Sequence, residues 1–345
     1  MGVHEPLFKV GVVDRSSSDG KPNSRSQVVF TMHHAVYDGW LLNRIGDELF
    51  REYNGLKEGN VLGGTLIPYR NFIQYLHDLD STAAENFWTD HLRDINLVEF
   101  PALPEANYKP YATSVAELHV SEIDWTNANG ITANTIVQTA WALVLSKHSG
   151  ASDIVFGATL LGRQISLPGI GRVGGPTIAT VPIRIMVDWE EQDVLDLLQT
   201  TQNQAGQMIP YMHYGTFRIR RLNYDTERAC QFHTFLVVQP APQRSQLTPQ
   251  LLFELGDGRD DIQAFNTYAV MPECSLTSDG LDVRASFDET ILSKVIPISY
   301  NALLPHYQYG LVYSRPQASF IVSAEIQNSK RKTLTYMARI WHSKT

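Results

Sequence analysis

The string Met32-His33-His34-Ala35-Val36-Tyr37-Asp38-Gly39-Trp40 constrains this chain more than any other. It is entered from residues 28–32 (VVFTM), a β-branched apolar run that reads as a strand buried on both faces. It leaves into residues 40–53, where Leu41, Leu42, Ile45, Leu49 and Phe50 recur at helical spacing and Asn54-Gly55 supplies a stop. A strand must therefore deliver two histidines to a tight loop, and an Asp-Gly must start a helix. Two histidines in series point in different directions, so one can face a cavity while the other hydrogen-bonds into the protein. Asp38 sits where it can cap the helix or meet an arginine that holds the loop in shape. Each piece also has an ordinary reading. A histidine after a strand is commonly a satisfied core group, and Asp-Gly before an apolar run is commonly a cap and turn. No metal is expected: a third ligand at a recognisable spacing is missing, and His77, His91, His119, His148, His213 and His233 are scattered singly.

The rest of the chain alternates strands and helices. Residues 7–13 read as a strand, then a Ser/Gly/Pro-rich loop precedes 28–32. Residues 69–79 and 83–97 read as helices. The segment 101–111 (PALPEANYKPY) carries three prolines and reads as a linker. Beyond it, strands are expected at 115–120, 154–161, 232–238, 264–274 and 281–287, with a further strand following the Gly-Gly-Pro turn at 174–176. Helices are expected at 132–149, closed by Gly150, and at 193–208. This order predicts an α/β (α+β) class with a sizeable mixed sheet. From residue 294 the periodicity is poor, and Pro297, Pro305 and Pro316 oppose a long helix. The expected organisation is a partial N-terminal lobe at 1–100 carrying the histidine string, a linker at 101–111, a C-terminal lobe at 112–293 and a divergent tail at 294–345.

Composition narrows the function classes. Hydrophobic residues make up 43% of the 345, with 28 Lys+Arg against 36 Asp+Glu. That apolar fraction excludes a disordered chain, and a net charge of -8 argues against nucleic-acid binding. No apolar run is long enough for a membrane span, and the first residues lack a basic stretch followed by an apolar core, so no secretory signal is expected. Two cysteines, Cys230 and Cys274, cannot build a disulfide scaffold, which fits a reducing, cytoplasmic setting.

HHxxxDG at 33–39, between an apolar strand and an amphipathic helix, resembles the active-site motif of nonribosomal peptide synthetase condensation domains. Other segments share the likeness, in order and over about residues 5–293. They are Tyr69-Arg70-Asn71-Phe72 with Ala84-Glu85-Asn86-Phe87-Trp88, a strand at 156–163 ending in Gly162-Arg163, and Gly174-Gly175-Pro176-Thr177 running into Val181-Pro182-Ile183-Arg184. Phe235–Gln239 and 265–269 have the same look, and the motif style is that of fungal members.

The resemblance implies a two-lobed fold, each lobe like chloramphenicol acetyltransferase, with a tunnel between them and 101–111 as the junction. It implies amide formation between an acyl or peptidyl thioester on one carrier protein and the amine of an aminoacyl group on another. Both substrates would ride on phosphopantetheine arms, and no directly bound cofactor is implied. His34 is the implied catalytic residue, as general base or as the group that positions the amine. Asp38 would pair with Arg163 to hold the loop, Gly39 would let the backbone approach substrate, and His33 would be structural. Gly174, Gly175, Pro176 and Thr177 are candidates for the tunnel wall, against the plainer reading of a turn. The family also implies further first-lobe residues ahead of residue 5, whose absence would expose sheet edges. Neither an adenylation nor a carrier domain is visible, so substrates would come from partner proteins. Two other readings stay open: a non-catalytic remnant or docking module, and a soluble acyltransferase of the plant type. The latter shares HxxxD but needs a DFGWG-type segment that this sequence does not contain.

Overall fold

A computed structural model describes residues 6–14, 26–57, 65–121, 123, 125, 130–239 and 266–292. Contacts divide the chain into two bodies. Of the described residues, the first comprises those up to Asp78 and Arg163–Ile178; the second comprises those of Leu79–Gly162, 179–239 and 266–292.

The first body opens with an antiparallel hairpin of β1 (Phe8–Asp14) and β2 (Ser26–Met32), in the register Phe8↔Met32, Val10↔Phe30, Val12↔Val28. A single 3-10 turn, His34–Val36, then leads to α1 (Gly39–Lys57). α2 (Arg70–His77) follows, and an isolated parallel bridge joins Ile67 to Val173. Two expectations fail here. Val28 and Val29 are 52% and 49% exposed, so β2 is not buried on both faces; β1 and β2 form a two-stranded sheet with no further strand beside them among the described residues. The helix also runs through Asn54-Gly55 to Lys57, because Gly55 is buried within α1 and does not end it.

The second body is built on a six-stranded mixed sheet in the order β3-β8-β7-β6-β4-β5. The strands are β3 (Ser114–Ser121), β4 (Asp153–Leu160), β5 (Ala179–Met186), β6 (Phe235–Gln239), β7 (Val270–Leu276) and β8 (Gly280–Phe287). The pairs β4/β6 and β6/β7 are parallel and the rest antiparallel. β4 and β5 are largely buried, although β5 is the last strand in the sheet order. α4 (Ala133–Ser149) packs on β4 and β6 and against α5 (Val194–Met208). Ten of its residues are buried, which explains an apolar sequence with little facial asymmetry. Its ends match the sequence: the Thr132 side chain accepts from the Thr135 amide, and Gly150 closes the helix at φ 71°. Asp193 caps α5 in the same way.

α3 (Ser81–His91) is capped by Asp80 and stops well short of the expected residue 97. The reason is a tie made elsewhere. Arg184 on β5 donates to the carbonyls of His91 and Arg93 and pairs with the buried Asp153 carboxylate at 2.8 Å. Asp153 also accepts from the Asn96 amide. The chain after His91 is thus drawn into an irregular path, with Asp94 at φ 54°. Two further helices, α6 (Thr216–Ile219) and α7 (Tyr224–Ala229), were not anticipated from periodicity. Each is too short to show a period. Strand β7 begins at Val270, later than expected, and residues 264 and 265 lie outside the described residues. So does the tail from residue 293, apart from which α8 (Glu289–Leu292) ends the described chain.

His91 is held in its neutral form. Its ring stacks on Phe87 (centroids 5.4 Å apart, 9° between planes) and meets the Trp88 ring edge-on, and its Nε2 is buried with no hydrogen-bond partner among the described residues. Burial, with the Arg184 charge adding to it, pulls its pKa down to about 4. A histidine depressed in the folded state is protonated first in the unfolded state, so stability falls as pH drops from about 6.5 towards 4. Urea unfolding across that range should show this loss. A His91→Phe variant, which keeps the stack, should flatten it.

Candidate active site

The histidine string folds as its pieces require. The His33 amide donates to the Leu7 carbonyl at 2.8 Å, which ties the loop to the hairpin. The His33 Nδ1 accepts from the Ala35 amide at 3.1 Å and so caps the 3-10 turn. His33 is thereby placed in a structural contact. His34, the first residue of the turn, is exposed, and its ring lies parallel to that of Tyr37 (4.7 Å between centroids, 10° between planes). The stack restricts the imidazole's orientation while leaving it accessible.

Asp38 does both things the sequence left open. Its Oδ1 accepts from the Leu41 amide at 2.8 Å, and its carbonyl accepts from Leu42, so it caps α1, of which Gly39 is the first residue. Its Oδ2 accepts from the Thr177 amide, also at 2.8 Å. Arg163 Nη2 lies 3.4 Å from both carboxylate oxygens. The carboxylate is 1% exposed and the guanidinium almost as deeply buried.

The lengths show how the charges are compensated. Arg163 makes its shorter hydrogen bonds to carbonyls: Ile170 and Gly175 at 2.9 Å and Val173 at 3.2 Å. Each ion is therefore satisfied mainly by backbone dipoles, and the two ions add Coulomb attraction across a longer gap. Burial pulls the Arg163 pKa below its ordinary value, Asp38 opposes this, and the nearby Arg44 adds to the fall. Trp40 lies beneath the guanidinium at 5.8 Å and donates its indole N–H to the Gly171 carbonyl.

Gly174, Gly175, Pro176 and Thr177 are the segment this network holds. Residues 67 and 172–174 exchange backbone hydrogen bonds, with Ile67 N to Arg172 O at 2.7 Å and Gly174 N to Ile67 O at 2.9 Å. Tyr69 donates its hydroxyl to the Pro176 carbonyl at 2.9 Å. Burial and the Asp38 charge raise the Tyr69 pKa, which keeps that hydroxyl a donor. The Tyr69 ring lies so close to Gly175 that an added Cβ there would sit 2.1 Å from it. Gly175 is thus required for close approach.

The structure brings Asp38, Gly39, Arg163 and Gly174–Thr177 together with the histidine string in the first body. Trp40 and Tyr69 belong to the same network, and their roles were not read from sequence. Tyr69 bonds a carbonyl 107 residues away, and no local spacing can signal such a contact.

Residues 4–288 match the family described as Condensation domain. The nonribosomal peptide synthetase ungA' of Aspergillus campestris is 38% identical over 278 residues, which is 79% of this chain and 3% of the relative. Nonribosomal peptide synthetase 6 of Alternaria brassicicola is 36% identical over 302 residues, 85% of this chain and 20% of the relative. The chain spans a small part of each. Two solved structures share the fold. Holo T3CT gives a TM-score of 0.59 at 20% identity over 83% of this chain and 62% of that one. The first condensation domain of the calcium-dependent antibiotic synthetase, in complex with a substrate analogue, gives 0.55 at 16% identity over 76% and 59%.

Removing the Asp38 carboxylate should leave the Arg163 charge buried and unpaired. Asp38→Ala is expected to cost about 3–5 kcal/mol, read from urea unfolding. Gly175→Ala should destabilise in the native background and cost much less when combined with Tyr69→Ala, a coupling that a double-mutant cycle reads directly.

Proposed function

The chain belongs to the condensation-domain family, and on that premise we propose that it joins an acyl or peptidyl thioester to the amine of an aminoacyl group, with both substrates borne on carrier proteins. The amine nitrogen attacks the thioester carbonyl. A C–N bond forms, the C–S bond breaks, and the departing thiolate takes up a proton. His34 is the group we assign to the reacting amine. A neutral imidazole can accept the amine's proton near neutral pH, or hold the amine in line for attack. Help of this kind is worth about 10²–10⁴-fold.

The observation that carries this reading is the placement of His34. It is an accessible imidazole stacked on Tyr37, one turn ahead of a helix whose cap is also the buried anchor of a second loop. In this reading Asp38, Arg163 and His33 are supporting groups that fix the direction of His34. Gly39 leaves the substrate room at the helix start. Gly174, Gly175, Pro176 and Thr177 are the wall segment whose backbone the clamp fixes. Phosphopantetheine arms enter as parts of the substrates. We also propose 101–111 as the junction between the lobes, which lies later in the chain than the change of body at Asp78–Leu79, and a cytoplasmic location. Among the described residues no helix is long and apolar enough to cross a membrane.

The test mixes the protein with a donor aminoacyl-carrier and an acceptor aminoacyl-carrier and follows the acceptor by intact-protein mass spectrometry. The expected result is a dipeptidyl acceptor whose formation slows by about 10²-fold or more in His34→Ala. A folded protein that yields no product across several carrier pairs would overturn the catalytic reading and favour a docking module.

A further inference from the structure

The chain is acidic overall, yet the stretch Tyr214–Arg228 reverses that balance. It holds Arg218, Arg220, Arg221 and Arg228 against Asp225 and Glu227, in a protein of net charge -8. Its inward residues are locked: Ile219, Thr226 and Ala229 are fully buried. Asn223 and Thr226 form a reciprocal capping box at the start of α7. Its outward residues are large and exposed, with Phe217 at 63% and Tyr224 at 72%.

The arginines do not neutralise themselves on this surface. Arg221 sits over the Phe217 ring at 3.9 Å and Arg218 over Tyr214 at 5.7 Å, while Arg228, over Tyr224 at 5.8 Å, donates to the Leu97 carbonyl at 3.0 Å. A guanidinium stacked on a ring can still turn its N–H edge to a phosphate and meet it with two parallel hydrogen bonds, which Arg221 and Arg218 can do. Arg220 is half exposed and only 3.9 Å from Glu227, a loose pair of little energetic weight. Phe217, Arg220, Arg221, Asn223 and Glu227 line an open recess of about 440 Å³. Small-molecule sites are mostly apolar and enclose their ligand. Exposed aromatic rings alternating with arginines are instead the composition of protein interfaces.

We propose that this rigid arginine–aromatic surface docks a carrier domain in its phosphopantetheinylated form. Arg221 and Arg220 would receive the phosphodiester that joins the arm to the carrier, and Phe217 and Tyr224 would pack against the carrier around it. The proposal rests on the reading that substrates arrive tethered to carriers. It adds where the second body of this chain grips them and which group it recognises.

The test separates docking from chemistry. Binding of holo and apo forms of a panel of fungal peptidyl-carrier domains is measured by calorimetry at low and high salt, using the full chain and an Arg220→Glu/Arg221→Glu variant. Phe217→Ala serves as a second variant that leaves the charge intact. Amide formation is then followed with donor and acceptor groups on carriers and with both groups on N-acetylcysteamine, which needs no docking. The expected result is tighter binding of holo than apo carrier, weakened about tenfold or more by the double reversal and by salt. Carrier-borne turnover should fall in step, and turnover from the soluble thioesters should stay unchanged. Equal binding of holo and apo forms across the panel, or a reversed variant that binds as the native chain does, would overturn the proposal. If the native chain forms no amide from either thioester yet binds holo carrier through these arginines, the catalytic reading falls and the docking surface stands. If His34-dependent condensation survives from both donors in the reversed variant, the docking surface falls and the catalytic reading stands.

Discussion

A carboxylate with almost no access to water sets the terms for the first body of this chain. An ion there must be compensated by hydrogen bonds or by an opposite charge, since the alternative costs several kcal/mol. Asp38 uses both devices. It takes two short hydrogen bonds from amides at the start of α1 and at Thr177, and it faces Arg163 across a longer gap. Arg163 in turn spends its shorter bonds on three carbonyls between Ile170 and Gly175. Every polar partner in the set is therefore backbone or the opposite ion, and the set fixes backbone rather than side chains. The path of the loop at 170–177, the start of α1 and the exit of the histidine turn all follow from where one negative charge is held.

The second body contains a pair with the same logic and a different result. Asp153 and Arg184 are 2.8 Å apart, and Arg184 reaches on to the carbonyls that follow α3. Here the guanidinium unravels the end of a helix that its own sequence would continue. The same interaction, a buried arginine satisfied by main-chain oxygens, caps an irregular loop in one body and terminates a helix in the other.

These pairs mark the limits of what the sequence discloses. Elements whose signals are local were legible: the helix starts at Thr132 and Asp193, the stop at Gly150, and the apolar run of α4. The site was legible because HHxxxDG is contiguous and because Arg163 closes a recognisable strand. Tertiary ties were not. Residues 92–97 keep a helical pattern that Arg184 overrides, and Gly55 lies inside α1 because burial outweighs its weak propensity. Residues 28–32 are as apolar as a covered strand, yet among the described residues pair only with β1, since composition records what a strand could bury and not what lies beside it. α6 and α7 span about one turn each, too little for periodicity, so the arginine–aromatic surface they carry had no signature beyond a cluster of like charges.

The separation in sequence between Asp38 and Arg163 also orders events in time. The two lie 125 residues apart, with all of β3, α4 and β4 made between them. On a growing chain, α1 can form early, but its cap must sit in water or stay unburied until residues 163–178 have been synthesised. Closing so long a loop is slow relative to local structure, so the histidine turn is among the late regions to reach its final shape. A fragment cut at Asp78 would keep every residue of the HHxxxDG string and still lack the cation, the Thr177 amide and the carbonyl cradle that give it form.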